Sequence, residues 1–379
     1  MAAILEREKL KELVSHSRTP AYVYNLGQLK RRIAELRSIF DFPGSRLLFA
    51  TMANDNPQIL AAIAGEGVGA CVNSVPHLEL AMKAGFPMSR TQFTSTGITH
   101  EDMRLLDALG IQVNLDSPAQ IVQWCSFAQV KRVGARVNAA SLLEGDPSKG
   151  DRIGMSIEGV GSAIAEADAH GGAVIGLHVY AGTNFQRADA MLPTLRAFFK
   201  LAESVPGLEY VNIGGGVGID YSHTFDNFDL HLFGSEVSSM ALKLCDRLGR
   251  AVDLYFEPGR GLVGASGRFV TRVTDIKLLH GITYVAVDGS VAIFPRPFHN
   301  PDTPHHVRRL GSSDTSVATR AVTIVGRTTF SKDILARCNL PTDIKIGDLL
   351  EFYDAGAYCQ SMSSRFLGQE SPCYLMLED

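Results

Sequence analysis

Apolar positions along this chain first follow a helical period and then a strand rhythm. MAAILEREKLKELV at the start sets apolar side chains among charges at helical spacing, and Leu29, Ile33, Leu36 and Ile39 repeat at threes and fours. A short extended run, Ala21 to Tyr24, lies between them. Apolar runs that predict strands then fall at Arg46 to Thr51, Val68 to Val72, Thr91 to Ser95, Gln112 to Leu115, Arg132 to Val137, Ala173 to Val179, Glu209 to Ile213 and Asp253 to Phe256. Between them lie segments of helical period, among them Asn56 to Ala64, Val75 to Ala84, Pro118 to Phe127, Ala188 to Leu201 and Glu236 to Leu248. Eight alternations predict an α/β fold, a (β/α)8 TIM-like barrel, because each parallel crossover needs a covering helix. A doubly wound open sheet is the alternative. After Arg260 the strands come without long helices, at Phe269 to Ile276, Tyr284 to Val287, Ala321 to Gly326 and Leu349 to Tyr353, which predicts a second, mostly β domain.

Composition narrows the function classes. The 379 residues can bury cores for two domains. The net charge of -4, from 36 basic and 40 acidic residues mixed along the chain, implies no field for nucleic acid or an anionic membrane, so a small-molecule partner fits better. Six scattered cysteines suit reduced thiols in a cytosol rather than a disulfide framework or a zinc site. The start carries too many charges for a secretory signal, and no run approaches a membrane span. A cytoplasmic location is expected.

In a parallel barrel the chemistry gathers just past the carboxyl ends of the strands. Those positions are Met52 and Asn54, Asn73 and Ser74, Asn114 and Asp116, Asn138, His178 and Tyr180, Gly214 to Gly216, and Glu257 to Arg260. Strand ends that meet solvent are often polar in any case. Ile213-Gly214-Gly215-Gly216-Val217-Gly218 is either a phosphate cup, where bare amides approach an anion, or a glycine-rich turn. Glu257-Pro258-Gly259-Arg260 adds a carboxylate and a guanidinium suited to forked phosphate contacts. Tyr358, in Asp354-Ala355-Gly356-Ala357-Tyr358, is a further phosphate donor or a core tyrosine.

GLHVYAGTN, NIGGGVG, FEPGR and DAGAY, in this order, resemble motifs of the pyridoxal-phosphate decarboxylases of the alanine racemase-like fold, the ornithine, arginine and diaminopimelate enzymes. The resemblance runs from about Thr19 to Gly368. It implies a barrel at 26–260, a β domain made of 1–25 and 261–379, and a head-to-tail homodimer with shared active sites. It assigns the phosphate to Gly214, Gly215, Gly216, Arg260 and Tyr358, counts Gly259 and His178 among the cofactor-binding residues, and sets Glu257 against the pyridine nitrogen.

The chain departs from the family where the cofactor is anchored. The lysine of the family's first strand end falls on Met52, whose thioether forms no imine. The stacking histidine falls on Tyr180, an acid at the second strand end on Cys71, and the partner-loop Cys-Glu-Ser-x-Asp on Thr329-Phe330-Ser331-Lys332-Asp333. These coordinated differences point to natural divergence rather than one engineered change. Arg296 matches an arginine that approaches a substrate carboxylate in diaminopimelate-type relatives, and Asp333 is expected to meet an amino group. Lys332 is the nearby amine that could replace the missing lysine. His299, His305 and His306 read as loop residues, since no spacing completes a metal site. The expected function is noncovalent binding of pyridoxal phosphate and decarboxylation of an amino-acid-like amine. The alternatives are a catalytically silent binding protein and new chemistry on another phosphorylated ligand.

Overall fold

The computed structural model describes residues 2–143, 152–224, 228–311 and 318–378. The chain forms two compact units, one of Ile33–Gly218 with Asn227–Leu262, the other of Met1–Arg32, Ile219–Asp226 and Val263–Asp379. In the first, eight parallel strands close into a barrel: Ser45–Ala50, Gly69–Val72, Thr91–Thr94, Gln112–Leu115, Arg132–Val137, Ala173–Val179, Tyr210–Asn212 and Asp253–Phe256. Ser45 pairs with Leu254 where the last strand meets the first, which excludes the open sheet. Short polar caps start the covering helices. Asn56, Ser74 and Ser117 each accept backbone N–H groups of the first turn, and a proline follows at one of the first two helical positions.

The barrel interior is polar to an unusual degree. Tyr210 fills its middle, and a Cβ on Gly134 or Gly176 would overlap the Tyr210 side chain. Its hydroxyl donates to Asn114 Oδ1 at 2.7 Å, and Asn114 Nδ2 donates to Thr94 Oγ1 at 2.9 Å and Gln92 Oε1 at 3.3 Å. Asn212 Nδ2 reaches the same Gln92 oxygen at 2.7 Å. All are buried, and the linked bonds offset the cost of removing these groups from water.

In the second unit, Ala21–Asn25 lies between Gly267–Leu279, antiparallel, and Cys373–Leu377, parallel. The long strand Gly267–Leu279 also pairs with Leu349–Phe352 and Ile282–Val287, and the sheet continues through Thr319–Val325 to Ile334–Pro341. Leu10 and Val14 of the helix Ala2–Ser15 pack with Val23, Val270, Leu310 and Leu377. Among the described residues no helix is long and apolar enough to cross a membrane.

Three strands escape the sequence reading: Val307–Arg309, Ile334–Pro341 and Cys373–Leu377. The division between units also differs from 25/26 and 260/261. The β unit runs to Arg32, begins again at Val263 and takes in 219–226. Tyr221 explains the last of these, because its ring lies 3.3 Å from the Arg296 guanidinium carbon and meets His305 edge-on. His305 lies in a loop, as expected, but is buried there, and its Nδ1 donates to Tyr353 O at 2.7 Å.

Candidate active site

At the carboxyl end of the barrel the glycine turn is shaped by close backbone packing. Gly214 and Gly216 have φ of +65° and +107°. A Cβ on Gly215 would come to 2.5 Å from Glu257 O, one on Gly216 to 2.8 Å from Gly182 O, and one on Gly214 would strike Val179 O. The Gly214 amide donates to Asn212 Oδ1 at 2.9 Å. Among the described residues the amides of Gly215 and Gly216 have no acceptor. Arg260 follows the buried Gly259 and opens a short helix, Arg260–Val263.

Glu257 stands beside this turn and is buried. Oε1 accepts from Asn212 Nδ2 at 2.6 Å and Oε2 from His178 Nε2 at 3.1 Å, and the Cys71 thiol acts on the same carboxyl. Burial alone would favour the neutral acid, but His178, Asn212 and Cys71 outweigh it and hold the carboxyl below its ordinary range. Burial pushes the His178 imidazole down against the pull of Glu257, so it is neutral at pH 7, with its proton on the Nε2 that faces Glu257. Burial, followed by the neighbouring Glu257 charge, pushes the Cys71 thiol well up.

Met52 lies in the 3-10 turn Thr51–Ala53 that ends the first strand, and it is half-buried. The turn is tied down around it. Thr51 Oγ1 donates to Cys71 O at 3.2 Å, and Asn54 Oδ1 accepts Asn56 N at 3.0 Å. Tyr180 is half-buried and its hydroxyl bonds Thr183 Oγ1. Asp116 Oδ1 accepts Gly154 N at 2.9 Å, and burial raises its carboxyl.

Met52, His178, Tyr180, Gly214 to Gly216, Glu257, Gly259 and Arg260 thus gather at one end of the barrel, and Tyr358, Arg296, Thr329, Lys332 and Asp333 belong to the β unit. Tyr358 has φ of +53°, four residues after Asp354 at +57°. Thr329 and Lys332 are exposed.

Two of the side chains assigned to substrate are hydrogen-bonded within the β unit. Asp333 is buried, with Oδ1 accepting Val291 N at 2.8 Å and Oδ2 accepting Thr328 N at 3.1 Å and Thr328 Oγ1 at 2.5 Å. Its carboxylate closes its own loop. Arg296 is also buried, and its terminal nitrogens donate to Thr303 O and Thr303 Oγ1, both at 2.8 Å.

Asn212, which links Glu257 to the glycine turn, opens the NIGGGVG motif but receives no role of its own in the sequence reading. Its signal was the two-residue alternation that puts Tyr210 and Asn212 on the same, inward face.

Residues 26–264 match the family described as "Pyridoxal-dependent decarboxylase, pyridoxal binding domain". The chain is 31% identical to the "Probable diaminopimelate decarboxylase, chloroplastic" of Oryza sativa subsp. japonica, over 96% of this chain and 76% of that protein. It is 28% identical to the diaminopimelate decarboxylase of Archaeoglobus fulgidus, over 96% of this chain and 89% of that one. The diaminopimelate decarboxylase of Helicobacter pylori, solved with L-lysine, superposes with a TM-score of 0.87 at 23% identity, covering 98% and 94% of the two chains, a likeness of fold. The chain belongs to the pyridoxal-dependent decarboxylases.

Proposed function

We propose that this protein holds pyridoxal phosphate without a covalent link at residue 52 and removes carbon dioxide from an amino-acid substrate. The observation that carries this reading is the pairing of two unengaged amides, on Gly215 and Gly216, with a carboxylate held ionised beside them. Those features fit the phosphate and the ring nitrogen of the cofactor. The thioether of Met52 does not fit covalent anchoring. When bound, pyridoxal phosphate supplies an electron sink for the pair left behind by departing carbon dioxide.

The chain's own residues do the rest. Gly215 and Gly216 donate to phosphate oxygens, and Arg260 adds a forked cationic contact. Glu257, with His178 and Asn212 donating to it, keeps a proton on the ring nitrogen. Met52 offers neither a nucleophile nor a proton carrier, so turnover is expected to be slow beside that of a relative with lysine at this position.

The reading extends to a homodimer in a reducing cytosol. Its supports are the cysteines, all free among the described residues, and the aromatic cluster in which Phe330 packs against Phe298 and Phe366, which are 42% and 50% exposed. The partner-loop segment Thr329 to Asp333 lies beside that cluster. Two measurements test the reading. Carbon dioxide release should appear from at least one of diaminopimelate, lysine, ornithine and arginine when pyridoxal phosphate is added, and its absence with all four sinks the decarboxylase assignment. Sedimentation at micromolar concentration should give a dimer, and a monomer of full cofactor affinity would remove the shared site.

A further inference from the structure

The barrel holds a cavity of about 550 Å³ among the amino ends of its strands, opposite the glycine turn. Arg37, Arg46 and Arg90 contribute to its wall, with the buried side chains of Gln92 and Tyr210. Acids balance only part of this charge. Arg46 Nε pairs with Asp253 Oδ2 at 2.9 Å, and Glu209, the other acid on the wall, pairs with Arg132. Arg37 donates to the carbonyl of Glu66 and Arg90 to that of Gly67; both are exposed, and among the described residues neither is paired with a carboxylate. Burial pushes the nearby Tyr255 phenol up to about 12, which leaves it protonated and able to donate at neutral pH. The amino end of such a barrel ordinarily serves stability.

We propose that this cavity binds a small dianion with acid oxygens, phosphate or a dicarboxylate, and that Arg37 and Arg90 are its cationic contacts. Forked guanidinium donors suit such oxygens. Gln92 and Tyr210 on the cavity wall are also links in the hydrogen-bonded series that ends on Glu257.

Calorimetric titration of the full chain with inorganic phosphate, and separately with malonate, tests the site and distinguishes the two anions. At least one should bind a site whose affinity falls at least tenfold in the Arg37→Ala/Arg90→Ala double variant and survives in Arg260→Ala. Arg90→Gln, which keeps a donor for Gly67 O, should weaken the same site several-fold and covers the case in which the double variant does not fold. Wild-type anion affinity in a folded Arg90→Gln protein, or loss of all anion binding in Arg260→Ala, overturns the proposal. The site stands apart from the cofactor reading, because it is expected whether or not pyridoxal phosphate binds at the mouth.

Discussion

Asn212 donates to Glu257 Oε1 at 2.6 Å while its own oxygen accepts the Gly214 amide at 2.9 Å, so one side chain fixes both the acid and the glycine turn. Asn212→Leu should leave Glu257, Gln92 and Gly214 each short of a partner and cost roughly 3 kcal/mol of unfolding free energy in a urea titration. Asn212→Asp restores the acceptor for Gly214 but sets a second carboxylate beside Glu257. Glu257 should then take up its proton at higher pH, shifting the pH profile of cofactor absorbance, and an unshifted profile would mean that Asn212 does not tune Glu257.

For Met52, the expectation is that borohydride leaves no pyridoxyl group on residue 52 of the natural protein, whereas Met52→Lys yields one. Peptide mass mapping reads both results. Absence of an adduct in the lysine variant, with cofactor affinity no better than that of the natural chain, would mean that the mouth is not a cofactor site. A natural adduct mapped to Lys332 would instead show that the anchoring amine has moved.

Arg260→Ala should weaken pyridoxal phosphate binding by about 1 to 3 kcal/mol, through one lost charged hydrogen bond. Gly215→Val should abolish binding, since even a Cβ there would come to 2.5 Å from Glu257 O. A fluorescence titration that finds unchanged affinity in both places the ligand elsewhere.

Acid should destabilise the fold in two stages. His178 titrates below its ordinary 6.5 in the folded chain, so its contribution is complete above pH 6.5 and declines as the pH falls from there toward the folded value. Glu257 lies below its ordinary 4.5, so its contribution is lost as the pH falls below that range and through the folded value. His223, raised mainly by its hydrogen bond with Asp354, acts in the opposite sense, and its contribution fades as the pH rises above 6.5. Denaturant midpoints between pH 7 and 5 should therefore fall less steeply in His178→Gln than in the natural chain, and equal slopes would mean that His178 is not the group responsible.

Asp333→Ala should cost roughly 2 to 4 kcal/mol of stability, because the buried Val291 donor and the half-buried Thr328 donors lose their acceptor. A variant with normal stability and impaired substrate affinity would return Asp333 to the substrate-contact role that the sequence suggested.

The barrel was legible because its strands are short apolar runs closed by polar caps, and Gln112 to Leu115, Arg132 to Val137 and Ala173 to Val179 agree residue for residue with the observed strands. Ile334–Pro341 was not, since Arg337 and Asn339 break its apolar run and its partner Thr319–Val325 sets its place from outside the local pattern. The mouth was legible where a motif is contiguous, as in the three glycines or Glu257 to Arg260. It was illegible where a role depends on distant partners. Asp333 reads as an acid looking for an amine until Val291, 42 residues earlier in the chain, is found donating to it.

Gly134, Gly176 and Tyr210 bind their own histories together. The phenol ring occupies the space that any larger residue at 134 or 176 would need, so neither glycine can change ahead of the tyrosine. A lineage that exchanged Tyr210 for a smaller residue would release position 176 but not 134, where a Cβ would still strike the Asn114 side chain, and would also remove the hydroxyl that holds Asn114. Substitutions at 176 and 210 should therefore be inherited together, and a homologue carrying alanine at 176 is expected to carry a smaller side chain at 210.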